Sequence, residues 1–327
     1  MSAPIQNQVS LMDLEPAADD LTREVLHSLR ETPHRLSCRF FYDETGAKLF
    51  SKICDLKEYY LTRTELQIMN EYLGEIRHCV GPKAAIIEFG SGSGQKTELL
   101  LESLERPWCY APVDISREQL VELAERMSAR FPDLWVQPVC ADYNTPFNLD
   151  GIIEADARRI VYFPGSTIGN LVPEQAITML RRMKGVVGDR GAILLGLDLA
   201  KSREIIEPAY NDSEGLTAAF NLNALKHVNR VTGTDFNVSA FEHRAIYRPE
   251  QYRVEMHLIS SANQTVRING QCIPLEKGNH IVTEYSYKYP LEVFDRLLAT
   301  AGLRRIRTWF DRNRWFSLQF IQSSACP

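Results

Sequence analysis

Between residues 84 and 199, short apolar runs alternate with helix-length amphipathic stretches, and no other feature of the chain limits its possible folds as much. The runs AAIIEF (84–89), WCYAPVD (108–114), WVQPVCAD (135–142), RIVYFPG (159–165) and GAILLGLDL (191–199) are strand-length and almost continuously apolar. Strands covered on both faces read this way, as those of a parallel sheet do. Helical patterns lie between them at 95–104, at 116–131 with Ser116 as cap, and at 174–187. The repetition predicts βαβ units wound on one parallel sheet. Residues 14–31 and 64–78 read as amphipathic helices ahead of that sheet, the second with Thr64 as its N-cap.

After Leu199 the pattern changes. A helix over 213–231 is followed, across 240–288, by AFEHRAIY, RVEMHLIS, QTVRI and HIVTEYSYKY, which read as antiparallel strands, with RING (267–270) as a hairpin turn. A helix over 290–302 then leads into strands at 305–310 and 315–321, joined closely enough by DRNR to form an antiparallel pair. The wound sheet is thus interrupted by an inserted segment and completed after it.

The chain has 327 residues, which bounds it to one or two domains. A net charge of −5 without a basic cluster argues against a nucleic-acid partner. No apolar run approaches the ~20 residues that span a bilayer. The N-terminus lacks a basic segment followed by an apolar one, so a cytoplasmic protein without membrane attachment is expected. The seven cysteines are scattered with no C-x-x-C pair, which reads as reduced thiols, and the seven histidines lack ligand spacing, so no metal is expected. His243 and His257 read as strand residues and not as catalysts.

The stretch FGSGSGQ places Gly90, Gly92 and Gly94 between a strand and a helix, where backbone amides and a helix N-terminus can meet a ligand. Asp114 ends the next strand, where an acid can grip a ribose diol, and Asp142 with Tyr143 ends the third, a pair suited to an adenine amino group and ring face. A nicotinamide dinucleotide would call for G-x-G-x-x-G; here the third glycine comes one residue early and Gln95 stands in its place. With Glu88 ahead of the loop and the terminal antiparallel pair, the arrangement resembles the Rossmann-like methyltransferases that use S-adenosylmethionine.

Further motifs run in order through the chain: FFYDETGAKLF (40–50), EYYLTRTE (58–65), PGSTIGN (164–170), AAFNLNALKHVNR (218–230) with DFNVSAFEHRAIY (235–247), VEMHL (254–258) and TEYSYKY (283–289). Together they resemble the histidine-specific Nα-methyltransferases of ergothioneine biosynthesis, over essentially the whole length. The resemblance implies an α/β protein: a Rossmann-like class I methyltransferase, its sheet mostly parallel and seven-stranded with a C-terminal antiparallel hairpin, plus a split α+β substrate-binding domain. The domains would be 1–63 with 200–288 for substrate and 64–199 with 289–327 for methyl transfer. It further implies a monomer that uses S-adenosylmethionine as co-substrate and converts L-histidine in three transfers to hercynine. Another aromatic amino acid, such as tryptophan, is the alternative substrate.

Carried over by motif, the cofactor contacts are Tyr42, Gly90, Lys96, Asp114, Asp142 and Tyr143. The substrate contacts are Tyr59, Gly165, Asn170, Tyr210, Met256, Glu284 and Ser286, with Asn170 and Tyr42 orienting the amine. The residue types agree with these roles. Tyr210 and Asn170 can donate to a carboxylate, and Glu284 and Ser286 alternate about Tyr285, so they share one face of a strand.

Overall fold

A computed structural model describes residues 10–14, 20–90, 94–149, 152–154 and 157–324. Gly92, residues 15–19 of the helix expected over 14–31, and Cys326 lie outside the described residues; the helix observed there is Leu21–Leu29, capped by Asp20.

The central sheet carries the strands Ala84–Phe89, Cys109–Asp114, Val139–Cys140, Arg158–Phe163 and Ala192–Asp198 in parallel. Phe316–Ser323 lies antiparallel against Ala192–Asp198, and Leu303–Phe310 lies antiparallel outside that. These are the seven expected strands. Two-residue strands at Met12–Asp13 and Trp135–Val136 bring the sheet to nine. The run at 135–142 is therefore not one strand. Pro138 has no amide to donate to a ladder, and pairing resumes only at Val139.

Successive strand residues feed opposite cores, which is why these strands lack polar alternation. Ala84 and Ile86 pack with Ile68, Met69, Leu100 and Leu123 from the helices Tyr60–Val80, Gln95–Ser103 and Arg117–Arg130. Ala85 and Ile87 pack with Met179, Met183, Phe294 and Leu298 from the helices Pro173–Val187 and Leu291–Thr300 on the other face.

Two capping expectations need correction. The helix expected over 64–78 begins at Tyr60, because Tyr60 and Leu61 extend its buried face; Thr64 lies inside it and its hydroxyl donates to the Tyr60 carbonyl at 2.7 Å. The helix also runs across residue 63, where a domain boundary was expected. Ser116 does occupy the N-cap position of its helix but makes no side-chain cap bond; its amide donates to Asp114 instead, at 3.1 Å.

The inserted segment forms a second sheet in the order His34–Arg35, His280–Tyr287, Arg253–Ser260 and Phe241–Arg248. The short parallel strand His34–Arg35 was not foreseen. Helix Leu216–Thr232 packs against this sheet and against helix Glu44–Asp55. The RING turn joins Gln264–Ile268 to Gln271–Leu275, with Asn269 and Gly270 both at positive φ, as a two-residue hairpin turn requires.

Candidate active site

The glycine turn opens at the carboxyl end of Ala84–Phe89. Gly90 has φ +73°, and its amide donates to the Val113 carbonyl at 3.0 Å. Tyr143 stacks on Phe89 with ring centroids 5.5 Å apart, and a Cβ on Gly90 would meet its hydroxyl at 3.5 Å. Asp114 and Asp142 each accept from the amide two residues on, Ser116 at 3.1 Å and Asn144 at 2.8 Å. Both acids therefore fold their own turns, and burial and then their charges push up the hydroxyl of Tyr143, which lies over Gly90. Burial pushes the Asp114 carboxyl above its ordinary range. Each oxygen of Glu88 accepts one hydrogen bond, from Thr97 and from Tyr110, and burial pushes the carboxyl up to about 7. It ties both ends of the turn together from below.

Lys96 stands in the first turn of its helix, where a cation opposes the helix dipole. The reason is Glu65, a fully buried carboxylate on helix Tyr60–Val80 that pairs with Lys96 and accepts from the Gly165 amide at 2.9 Å. Gly196 makes room for it, since a Cβ there would come within 2.3 Å of the Glu65 Oε1 atom. Lys96 and Gly165 are thus brought together, and the sequence reading missed the acid between them. Its signal was EYYLTRTE, where Glu65 is an acid on a helix face that continues Leu61 and Ile68.

On the facing side, Glu284, Ser286 and Lys288 alternate along one side of the strand His280–Tyr287 and its exit. Met256 pairs directly across from Glu284 and is buried. Burial raises the Glu284 carboxyl to about 7, with Lys288 pulling in the opposite direction. Asn170 ends the turn Thr167–Asn170, which packs so closely on this strand that a Cβ on Gly169 would meet the Tyr287 carbonyl at 2.8 Å. Tyr59 packs edge-on to Tyr210, with centroids 6.4 Å apart. Tyr42 sits edge-on to Phe41, Phe50 and Phe220. The residue is 46% exposed, yet desolvation and then the Glu284 charge push its hydroxyl up. Tyr42, Tyr59, Asn170 and Glu284 have no side-chain hydrogen bond to any described residue, whereas nearly every buried polar group beside them is partnered.

Behind this face lies a polar network the sequence reading did not find. Lys288 reaches Tyr210 Oη at 2.7 Å, Ser286 Oγ at 2.9 Å and Asp198 Oδ2 at 2.8 Å. Asp198, at the end of Ala192–Asp198, also accepts from Lys201 at 2.5 Å and from the Tyr60 hydroxyl at 2.8 Å, while its amide donates to Ser166 Oγ. Burial would raise Asp198, but the two lysines hold it below the usual carboxylate range. Burial opposes the charge on Lys288, and Asp198 and Tyr210 hold it protonated. The signal for Lys288 was the same period of two that placed Glu284 and Ser286. Ser286 is engaged by both Lys288 and Tyr210, so its hydroxyl has one position left for a ligand.

The histidines have structural partners. His243 Nε2 meets the Tyr210 carbonyl and its Nδ1 meets the Asn221 amide, both at 2.8 Å. His257 pairs with Glu255 at 3.1 Å and stacks on His280. Among the described residues, no three His, Cys, Asp or Glu side chains are grouped to hold a metal. Two surface depressions, beside Arg304–Arg307 and beside Arg77 and Gly81, contain none of the expected site residues.

A wound sheet closed by a C-terminal antiparallel pair, with a glycine turn, an acid at the end of the next strand and a ring beside the turn, defines a Rossmann-like S-adenosylmethionine-dependent methyltransferase. Residues 21–323 match the family model of histidine-specific, SAM-dependent methyltransferases, and the chain belongs to that family. It is 36% identical over 302 residues to the histidine N-alpha-methyltransferase of Mycolicibacterium smegmatis, covering 91% of this chain and 93% of that one. The enzyme of the same name from Mycobacterium tuberculosis is 34% identical over 303 residues, with the same coverages. An L-tryptophan methyltransferase of Psilocybe serbica is 26% identical over 344 residues, covering 94% of each chain.

Proposed function

We propose that this chain methylates the α-nitrogen of L-histidine three times, giving hercynine, the first step of ergothioneine biosynthesis. One observation carries the reading: the polar groups of Tyr42, Tyr59 and Glu284, close enough for their charges to act on one another, have no side-chain hydrogen-bond partner among the described residues, and neither does Asn170 on the turn packed against the Glu284 strand. Such groups are free to bond a ligand, and one with complementary groups replaces the water they would otherwise meet. An amino acid with an imidazole side chain supplies a carboxylate for donors, an amine for Asn170 and Tyr42, and ring nitrogens for Glu284 and Ser286.

S-adenosylmethionine supplies the methyl group from its sulfonium, and the leaving thioether is neutral. The protein's task is alignment, which is worth ~7–11 kcal/mol in favourable cases. Asn170 and Tyr42 orient the amine, and hydroxyl and amide surroundings favour its neutral, nucleophilic form by desolvation. Tyr143, Gly90, Asp114 and Asp142 face the nucleoside, and Lys96 with Glu65 fixes the Gly165 loop. The division into a substrate domain and a transfer domain belongs to this reading, with the first seam at Tyr59, ahead of helix Tyr60–Val80, in place of residue 63. So does a monomer working on free histidine in the cytoplasm, a compartment that keeps unpaired thiols such as the six described here reduced.

The test is mass spectrometry of histidine incubated with S-adenosylmethionine and the protein, counting methylene increments, with tryptophan alongside. Three increments on histidine are expected; preferential methylation of tryptophan would overturn the substrate assignment. Histamine, which lacks the carboxylate, should be a very poor substrate, and turnover equal to that of histidine would remove Tyr210 and Asn170 from their role.

A further inference from the structure

The buried cation behind the substrate face has no part in the reading above. Lys288 is 0% exposed, and its contacts with Asp198, Tyr210 and Ser286 use all three N–H donors of an ammonium, which has no lone pair to accept with. Both hydroxyls are therefore obliged to accept from it. They also bond each other at 2.9 Å. Between them the two hydroxyls carry two protons, and one lies in their mutual bond. A single O–H is left to face a ligand.

Two arrangements satisfy this count. If Tyr210 donates to Ser286, the outward proton belongs to Ser286 and Tyr210 turns only a lone pair toward the cleft, which repels a carboxylate. If Ser286 donates to Tyr210, the outward proton belongs to Tyr210 and Ser286 keeps one lone pair facing out. We propose that Lys288 is a positioning residue for the substrate: by holding both oxygens as acceptors it leaves one outward O–H, and a bound amino acid takes the second arrangement, with Tyr210 donating to the α-carboxylate and Ser286 accepting from a ring N–H. The role rests on the assignment of Tyr210 to the carboxylate. The cation beside the Tyr210 oxygen also makes that O–H the stronger donor. Asp198 keeps the ammonium in place, and Lys201 and Tyr60 keep Asp198 in place.

A double-mutant cycle separates this role from general damage. Histidine binding to the adenosylhomocysteine-saturated protein is measured by calorimetry for the parent, Lys288→Met, Tyr210→Phe and the double variant. Each single change is expected to weaken histidine at least about tenfold, the order for one lost charge-assisted hydrogen bond. The double variant should bind only as weakly as the weaker single, because Lys288 acts through a hydroxyl already gone. Adenosylhomocysteine affinity should be unchanged throughout. Should Lys288→Met yield no folded protein, Lys288→Gln, one atom shorter but keeping two donors without the charge, runs the same cycle. Effects that multiply, or a Lys288 variant that binds histidine as the parent does, overturn the role alone. A parent that does not bind histidine overturns both the functional reading and this role built on it.

Discussion

On one side of the cleft, Gly90, Asp114, Asp142 and Tyr143 stand at or just past the carboxyl ends of neighbouring parallel strands, half-buried, each held by a turn or a ring contact of its own. On the other side, Glu284 and Ser286 stand on one strand of a second sheet with Lys288 just past its end, and Ser286 and Lys288, besides bonding each other, find partners 76 to 90 positions away. The cofactor wall is assembled from independent local pieces. Behind the substrate wall, Ser286, Tyr210, Lys288 and Asp198 form a single network in which moving one group leaves another unsatisfied. Damage on the first wall should therefore be graded and confined to cofactor affinity. On the second it should be steep, and it should reach stability as well as specificity.

The largest expected effect tests that coupling. Asp198→Ala leaves Lys288 and Lys201 buried without their counter-charge, and removing one partner of a buried ion pair costs about 3–5 kcal/mol. Urea unfolding measures it, and a variant as stable as the parent would show that the network carries no stability.

Next comes Glu284→Ala, which removes the ring acceptor and opens space beside Met256. kcat/KM for histidine should fall about 10²-fold, from ~2–3 kcal/mol for a charged hydrogen bond. Discrimination against tryptophan should narrow, and adenosylhomocysteine binding, followed by calorimetry, should not change. A variant that methylates histidine as the parent does would make Glu284 an ordinary strand residue.

On the cofactor wall, Asp114→Ala should weaken adenosylhomocysteine by roughly 1.5–3 kcal/mol, with a smaller effect on histidine. In the same thermal-shift assay, adenosylhomocysteine should raise the parent's Tm and NAD should not. If histidine binding suffers more than the nucleoside, the two walls are not separable and the comparison fails.

The smallest effect is in the pH dependence. Burial raises Glu284 to about 7, so between the ordinary carboxylate range and that value the native state holds a proton the unfolded chain has released. That contribution is fully present below the ordinary carboxylate range and is lost as pH rises toward about 7. Glu284→Gln should reduce the fall in stability from about pH 4 to about pH 8, leaving the share due to Glu88, which is raised for the same reason. An unchanged slope in the urea midpoints would locate the effect elsewhere.

The contrast between the walls also explains what could be read in advance. The wound sheet, its closing pair and the cofactor positions were legible because their signals are local: apolar runs of strand length, a glycine turn, an acid one strand on. Glu284 and Ser286 were placed on one face by a period of two, but what stands behind that face was not legible. Nothing in LLGLDLAKS connects Asp198 to Lys288, 90 positions away, and the pairing exists only because the chain returns from the second sheet beside the strand it left. Glu65 was missed for the same reason, since its partners Lys96 and Gly165 lie on two other elements. Thr64 misled because a threonine before a glutamate signals a helix start only when the residues ahead of it are not already part of a buried helical face.

The chain passes between the two sheets at 199–203 and again at 287–290, and these crossings lie side by side: Leu199 bridges Tyr289, and Lys288 and Lys201 both clasp Asp198. In mechanical terms this is a joint pinned at two adjacent points, one by backbone pairing and one by charge. Such a joint resists sliding and twisting, so the spacing between methyl donor and acceptor is set by a stiff frame. Whatever must yield to admit two molecules and release two is left to the far rim, where helix Glu44–Asp55 and the turn bearing Tyr42 are fastened to helix Leu216–Thr232 by Asp43 through Asn223 and Arg230.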